Sequence, residues 1–294
     1  MSRELRGILA IFGSAIGYSH LPTLGKLALA EGVRVLPMVA WRFVLASAVL
    51  WLFIGVTRRA APPRDRWPAL LALGALYGVN ATAYLASLQW VSASLASLVF
   101  FTYPAVVIVL AAAFLGEPLT RPRVTATLLA IAGCALIVGL EGQRGEPIGV
   151  LLILMSVVFV AVYILVGQAA LRDLPAHGAA AVSLLATAAL TTLVALLTGG
   201  LALGGGTRGA LLVALMALIS TAIPVTLLLA GIRDLGPGQA AIYATVEPLL
   251  AVSIAALVLG ERIAPLQYVG GAVLLSGILW LRLQRPRPLR RQLE

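Results

Sequence analysis

The sequence predicts an all-α integral membrane protein, with ten transmembrane helices arranged as two five-helix repeats of inverted topology. Three observations carry that expectation. Mean hydropathy is +1.03 over 294 residues, with only 11% of them charged, which is more apolar surface than one soluble core encloses. The apolar runs are about 20 residues long, enough for a helix to cross roughly 30 Å of hydrocarbon. The chain also repeats itself at half its length.

Hydrophobic runs and the polar breaks between them place the spans at 7–28, 36–56, 67–88, 92–115, 124–140, 148–168, 176–198, 209–231, 239–259 and 265–283. Fifteen of the 21 Lys and Arg, including Arg58, Arg64, Arg66, Arg121, Arg172 and the tail arginines, then fall on the side of the N-terminus. Arg34, Arg144, Arg208 and Arg262 fall on the other. Basic residues in short loops favour the cytoplasmic side, so both termini are expected there. The net charge of +10 is scattered over these loops and the tail, as suits anionic lipid headgroups rather than a nucleic-acid surface. Trp41, Trp51, Trp67, Trp90 and Trp280 all lie near span ends, where an indole keeps its N–H wet. The first span lacks an obvious small-residue cleavage site and is read as retained. A single cysteine, Cys134, excludes an intramolecular disulfide and reads as a packing residue.

Laying the stretch from Ala86 on the one from Ala230 aligns Pro104 with Pro248, Leu115-Gly116-Glu117 with Leu259-Gly260-Glu261, and Gly133 with Gly277. Apolar bias alone does not align a proline, a triplet and a glycine in one register. The units are residues 1–144 and 145–294. Five spans is an odd number, so the second unit enters the membrane the opposite way round. Such a pair has two pseudo-equivalent arrangements, open to either side, with a site expected near the midplane. Interrupted helices often mark that site. Pro22, Pro104, Pro224 and Pro248 each deprive a carbonyl one turn earlier of its helical donor, and are the candidate hinge or gate positions.

The paired segments Leu115-Gly116-Glu117-Pro118-Leu119 and Leu259-Gly260-Glu261-Arg262-Ile263, with Lys26 and Trp41-Arg42-Phe43, resemble the drug/metabolite transporter superfamily and its ten-helix EamA group. The resemblance covers essentially the whole chain, and within the group it is most similar to bacterial exporters of aromatic amino acids. Pro118 stands where an Arg is more usual. The resemblance implies a monomeric carrier in the bacterial cytoplasmic (inner) membrane. It also implies a central cavity lined mainly by spans one, three, four, six, eight and nine, and export of small organic metabolites.

Helical spacing nominates the lining. Tyr77, Asn80 and Tyr84 recur at i, i+3 and i+7 on one face of the third span, beside a smooth strip of Gly74, Gly78 and Ala81 that suits helix packing. Ser94, Ser97 and Tyr103 add to this from the fourth span, Tyr163 and Gln168 from the sixth, and Gln239, Tyr243 and Glu247 from the ninth. Phenolic rings with little fixed charge suit an amphipathic, partly aromatic solute with zwitterionic or amide-like groups. A phosphorylated sugar would call for several basic residues.

An ionisable group inside a span costs about 2.5 kcal/mol or more unless it meets a partner or a wet cavity. Glu247 is such a group. Arg42 either snorkels to the interface or pairs with Glu247 across the bundle, and Lys26 snorkels. His20 is either a protonation switch or a hydrogen-bonded packing residue. Multidrug efflux and metabolite import are alternative functions for the same architecture. A membrane-embedded enzyme would need a His-Glu-x-x-His pattern, a Gly-x-Ser-x-Gly elbow, a phosphate-cradling Gly-Lys loop or a pair of intramembrane acids, and the sequence has none. No cofactor or metal is called for, and the expected partners are a small-molecule substrate and membrane lipid.

Overall fold

The computed structural model describes residues 2–58, 61–115, 120–141, 146–170, 174–235, 243–244 and 246–283. They form ten helical runs, several of them broken. The first half contains α1 (Arg3–Ser19), α2 (Leu21–Ala30), α3 (Val35–Thr57), α4 (Trp67–Ser87), α5 (Ala93–Phe100), α6 (Tyr103–Leu115) and α7 (Arg121–Glu141). The second contains α8 (Pro147–Ala170), α9 (Ala176–Thr198), α10 (Gly206–Ala217), α11 (Ile223–Leu235), α12 (Val246–Leu259) and α13 (Pro265–Leu283). Serine hydroxyls cap two of these: Ser2 accepts from the Leu5 N–H, and Ser92 from the Leu95 N–H at 3.0 Å.

Among the described residues, seven stretches are long and apolar enough to cross a membrane, and Val124–Gly133 and Val246–Leu259 are shorter apolar helices. Many large apolar side chains face outward. Leu257 is 86% exposed and Phe114 79%, an arrangement water would penalise and acyl chains accept.

Helix pairing follows the internal repeat. α1 packs on α11 just as α4 packs on α8, and these are the first-with-eighth and third-with-sixth pairings that exchange when the halves are swapped. α3 packs on α9, α5 on α12 and α7 on α13, pairings that map onto themselves. A two-fold relation between halves with an odd number of helical runs in each inverts one half relative to the other.

The aligned glycines have a packing reason. A Cβ on Gly133 would meet the Gly270 carbonyl at 2.6 Å, and one on Gly277 would meet Leu129 Cβ at 2.8 Å. Each lets α7 and α13 approach at symmetric points. Gly74 does the same for α4 against α9, where a Cβ would run into the Ser183 carbonyl. Thr187 Oγ1 donates to the Gly74 carbonyl at 2.7 Å across that contact.

Three described breaks interrupt the runs, and each precedes a proline. Pro22, Pro104 and Pro224 occupy the second position of α2, α6 and α11, where a missing N–H is harmless. Pro248 lies in the first turn of α12. The break before α2 frees the Ile16 carbonyl, which accepts from Ser19 Oγ at 2.7 Å and from His20 Nδ1 at 2.6 Å. Between α5 and α6 the Val99 carbonyl accepts from both the N–H and the hydroxyl of Thr102. Between α10 and α11 the chain widens into a π turn, Leu218–Ala222, because Pro224 removes the donor that Ser220 would use.

Substituting Gly277→Leu should force α7 and α13 apart and lower stability by about 1–3 kcal/mol, as overpacking does. Thermal melting in detergent checks this, with Gly55→Leu, at a position with open space, as the neutral comparison.

Candidate substrate cavity

A cavity of about 260 Å³ lies between the halves, and both contribute to its wall. The third run presents Tyr77, Asn80 and Tyr84 together, as their spacing requires, with Ala81 alongside. Asn80 Oδ1 accepts from Ser156 Oγ on α8 at 2.6 Å, a cross-half bond that fixes the amide. Ser97 donates to the Ala93 carbonyl at 2.8 Å, so the Tyr84 hydroxyl is the donor in their 3.3 Å contact.

Aromatic rings form two walls. Tyr77 stands between Phe43 and Tyr163, at centroid separations of 5.6 and 5.5 Å. Opposite the break in the fourth run, Phe100 meets Tyr84 at 5.2 Å and Tyr103 at 5.7 Å, with Phe101 beside it. Edge and tilted contacts of this kind hold rings at fixed angles. Phe100 and Phe101, at the end of α5 and in the break that follows it, both line the cavity.

Two charged side chains line the cavity, Arg42 from α3 and Glu247 from α12. Arg42 does not snorkel: it is 1% exposed, and its Nε donates to Thr221 Oγ1 at 2.7 Å. Thr221 Oγ1 in turn donates to the Met216 carbonyl at 3.0 Å, just before the π turn. Among the described residues Arg42 and Glu247 form no ion pair, and α3 turns the Arg42 Nε toward Thr221 in the π turn.

The remaining expected site residues are dispersed. His20 does not line the cavity; its ring is spent on the Ile16 carbonyl at the helix break. Tyr243 packs on Phe12 at 5.8 Å, away from the lining. Pro22 lines the cavity, whereas Pro224 and Pro248 are buried behind it. Gln239 lies outside the described residues, as do the side chains of Pro104 and Gln168. The cavity also takes Tyr18, Phe100, Phe101 and Ser183, which spacing did not single out. Tyr18 had a signal, being an aromatic residue four before Pro22 inside a span.

One end of the molecule is tied across the halves. Arg34 donates to the Gly199 and Ala202 carbonyls, Trp41 Nε1 to Leu201 at 3.0 Å, and Arg208 pairs with Glu31 at 3.0 Å. Glu261 supplies the most buried of these ties. Gly260 turns left-handed at φ +66 after α12, and the Glu261 carboxylate accepts from the N–H groups of Ala93 and Ser94 and from Ser94 Oγ at 2.6 Å. The repeated Leu-Gly-Glu motif is thus, in the second half, a turn and an anionic cap on the α5 N-terminus.

A mixed aromatic and charged cavity between two related halves of a multi-pass membrane protein defines a membrane transporter. The chain belongs to the EamA-like transporter family, whose pattern matches residues 5–139 and 147–283 separately. This is a transporter family, not an enzyme family, and its members move small-molecule substrates. A solved structure described only as a crystal structure of a protein is similar to it, with a TM-score of 0.67 at 20% identity over 99% of this chain and 100% of the other. That likeness concerns the fold. No curated protein matches the chain.

Glu261→Ala should remove the α5 cap and lower stability by about 1–3 kcal/mol, since charge-assisted bonds to a helix N-terminus are lost. Ser94→Ala should lose less. A double-mutant cycle of melting temperatures checks that the two losses are not additive.

Proposed function

We propose that this protein is a secondary, alternating-access carrier that exports amino acids, with aromatic or hydrophobic ones favoured. The observation that carries the reading is the cavity wall: Tyr18, Tyr77, Tyr84, Tyr103 and Tyr163 surround one basic and one acidic side chain, Arg42 and Glu247. Flat rings offer apolar area with a polar edge, and the two charges match the two ends of a zwitterion. A single basic residue in the lining argues against phosphorylated solutes.

The units 1–144 and 145–294 act as the two rocking bodies, monomeric in the bacterial cytoplasmic membrane, with both termini inside. The breaks before Pro22, Pro104 and Pro224 serve as hinges, since hydrogen bonding is already interrupted there, with Pro248 in the first turn of α12 as the fourth hinge. Opening toward the tied end requires Glu261 to leave α5 and Arg34 to leave the Gly199 and Ala202 carbonyls.

Counterflow in proteoliposomes tests this. Labelled phenylalanine should exchange faster when unlabelled phenylalanine is on the far side; uptake that ignores the far side marks a channel and ends the carrier reading. Tyr84→Ala should raise the apparent KM about tenfold by removing a ring from the wall. Glu247→Gln should also slow exchange, with both variants inserting normally; wild-type kinetics in both would remove these residues from the site. A C-terminal fluorescent fusion that matures only in the cytoplasm should glow.

A further inference from the structure

Arg42 is the one basic side chain lining the cavity, and its surroundings leave it incomplete. Nε is satisfied by Thr221, and the guanidinium carbon stands 4.7 Å from the Phe43 ring centroid. Nη1 is buried with no hydrogen-bond partner. Glu247, the only carboxylate in the described lining, makes no ion pair with it. Thr221 has nothing further to give a ligand as donor, because its proton goes to Met216. Its part is to aim the guanidinium, so it is a positioning residue. A desolvated cation with an unpaired, buried donor at a cavity wall is a site for an anion, and a guanidinium fork matches a carboxylate, which needs no second basic residue.

We infer that Arg42 is the anchor for the solute's carboxylate, with Glu247 receiving its ammonium group, so that the cavity selects amphoteric solutes over aromatic amines and amides. This rests on the carrier reading above and adds to it the residue that reads the anionic end. Phe43 and Tyr77 flank the anchor, which places an aromatic side chain of the solute against the Tyr77–Tyr163 wall.

The test compares three probes in counterflow: phenylalanine, phenylalanine amide and phenethylamine. In the wild type the amino acid should exchange with an apparent KM about tenfold or more below those of the other two, the range of one lost charge-assisted contact. Arg42→Gln should raise the KM for phenylalanine alone and leave the amide and the amine unchanged, erasing the preference. Arg42→Lys, which keeps the charge and loses the fork, and Thr221→Val, which loses the aim, should each give a smaller rise confined to phenylalanine. These two variants carry the test should Arg42→Gln fail to insert, and detergent melting curves identify that case.

Equal handling of all three probes by the wild type, or equal losses for all three in the variants, overturns the anchor while leaving an aromatic carrier standing. No exchange of any of the three, with exchange of a sugar instead, takes down the amino-acid reading and the anchor with it.

Discussion

A backbone carbonyl or a charge left bare in hydrocarbon costs several kcal/mol, and this molecule is arranged around that penalty. At each described break side chains supply local donors to backbone carbonyls, although Thr23 Oγ1 and Ser220 Oγ stay buried without a partner. Ser19 and His20 cover the Ile16 carbonyl, Thr102 covers Val99, and Thr221 covers Met216 while holding Arg42. The breaks gather where the two halves meet. Irregular backbone at membrane depth is tolerated where it faces protein or a cavity, and here the residues around the breaks, Tyr18, Pro22, Phe100 and Phe101, line the cavity.

The scaffold is symmetric and the chemistry is not. Gly133 and Gly277 seat α7 and α13 on one another at matching points, and the pairing of α1 with α11 repeats that of α4 with α8. Inside the cavity the match stops. Tyr103 and Glu247 occupy equivalent positions, each just before an aligned proline, yet one is a phenol and the other a carboxylate. Arg42 on α3 has no counterpart, since α9 contains neither Arg nor Lys. The π turn, too, belongs to one half only among the described residues. Shared geometry relates the two halves, while unshared side chains line the space between them.

Much of this was legible from the chain. Span limits follow from hydropathy, so the expected 265–283 coincides with α13 and 176–198 with α9. The face of Tyr77, Asn80 and Tyr84 follows from 3.6-residue periodicity and needs no tertiary information. Periodicity is silent where the helix is not regular. It placed Tyr243 beside Glu247, but the chain restarts at Val246, and Tyr243 turns instead to Phe12. The partner of Arg42 was equally out of reach: Thr221 is 179 residues away and takes its orientation from a π turn that no local pattern announces. His20 reads in the sequence as either a switch or a packing residue, and its bond to the Ile16 carbonyl arises at a helix break whose geometry spacing does not supply.

The unlikeness of the two halves has a stereochemical consequence. A cation on α3, an anion on α12 and a wall of rings are three different contacts offered to one small molecule. A tetrahedral centre bearing a carboxylate, an amine and an aromatic arm presents those groups in one rotational sense, and its mirror image presents them in the other. On the proposed function, a pocket with three unlike corners therefore distinguishes an L amino acid from its mirror image.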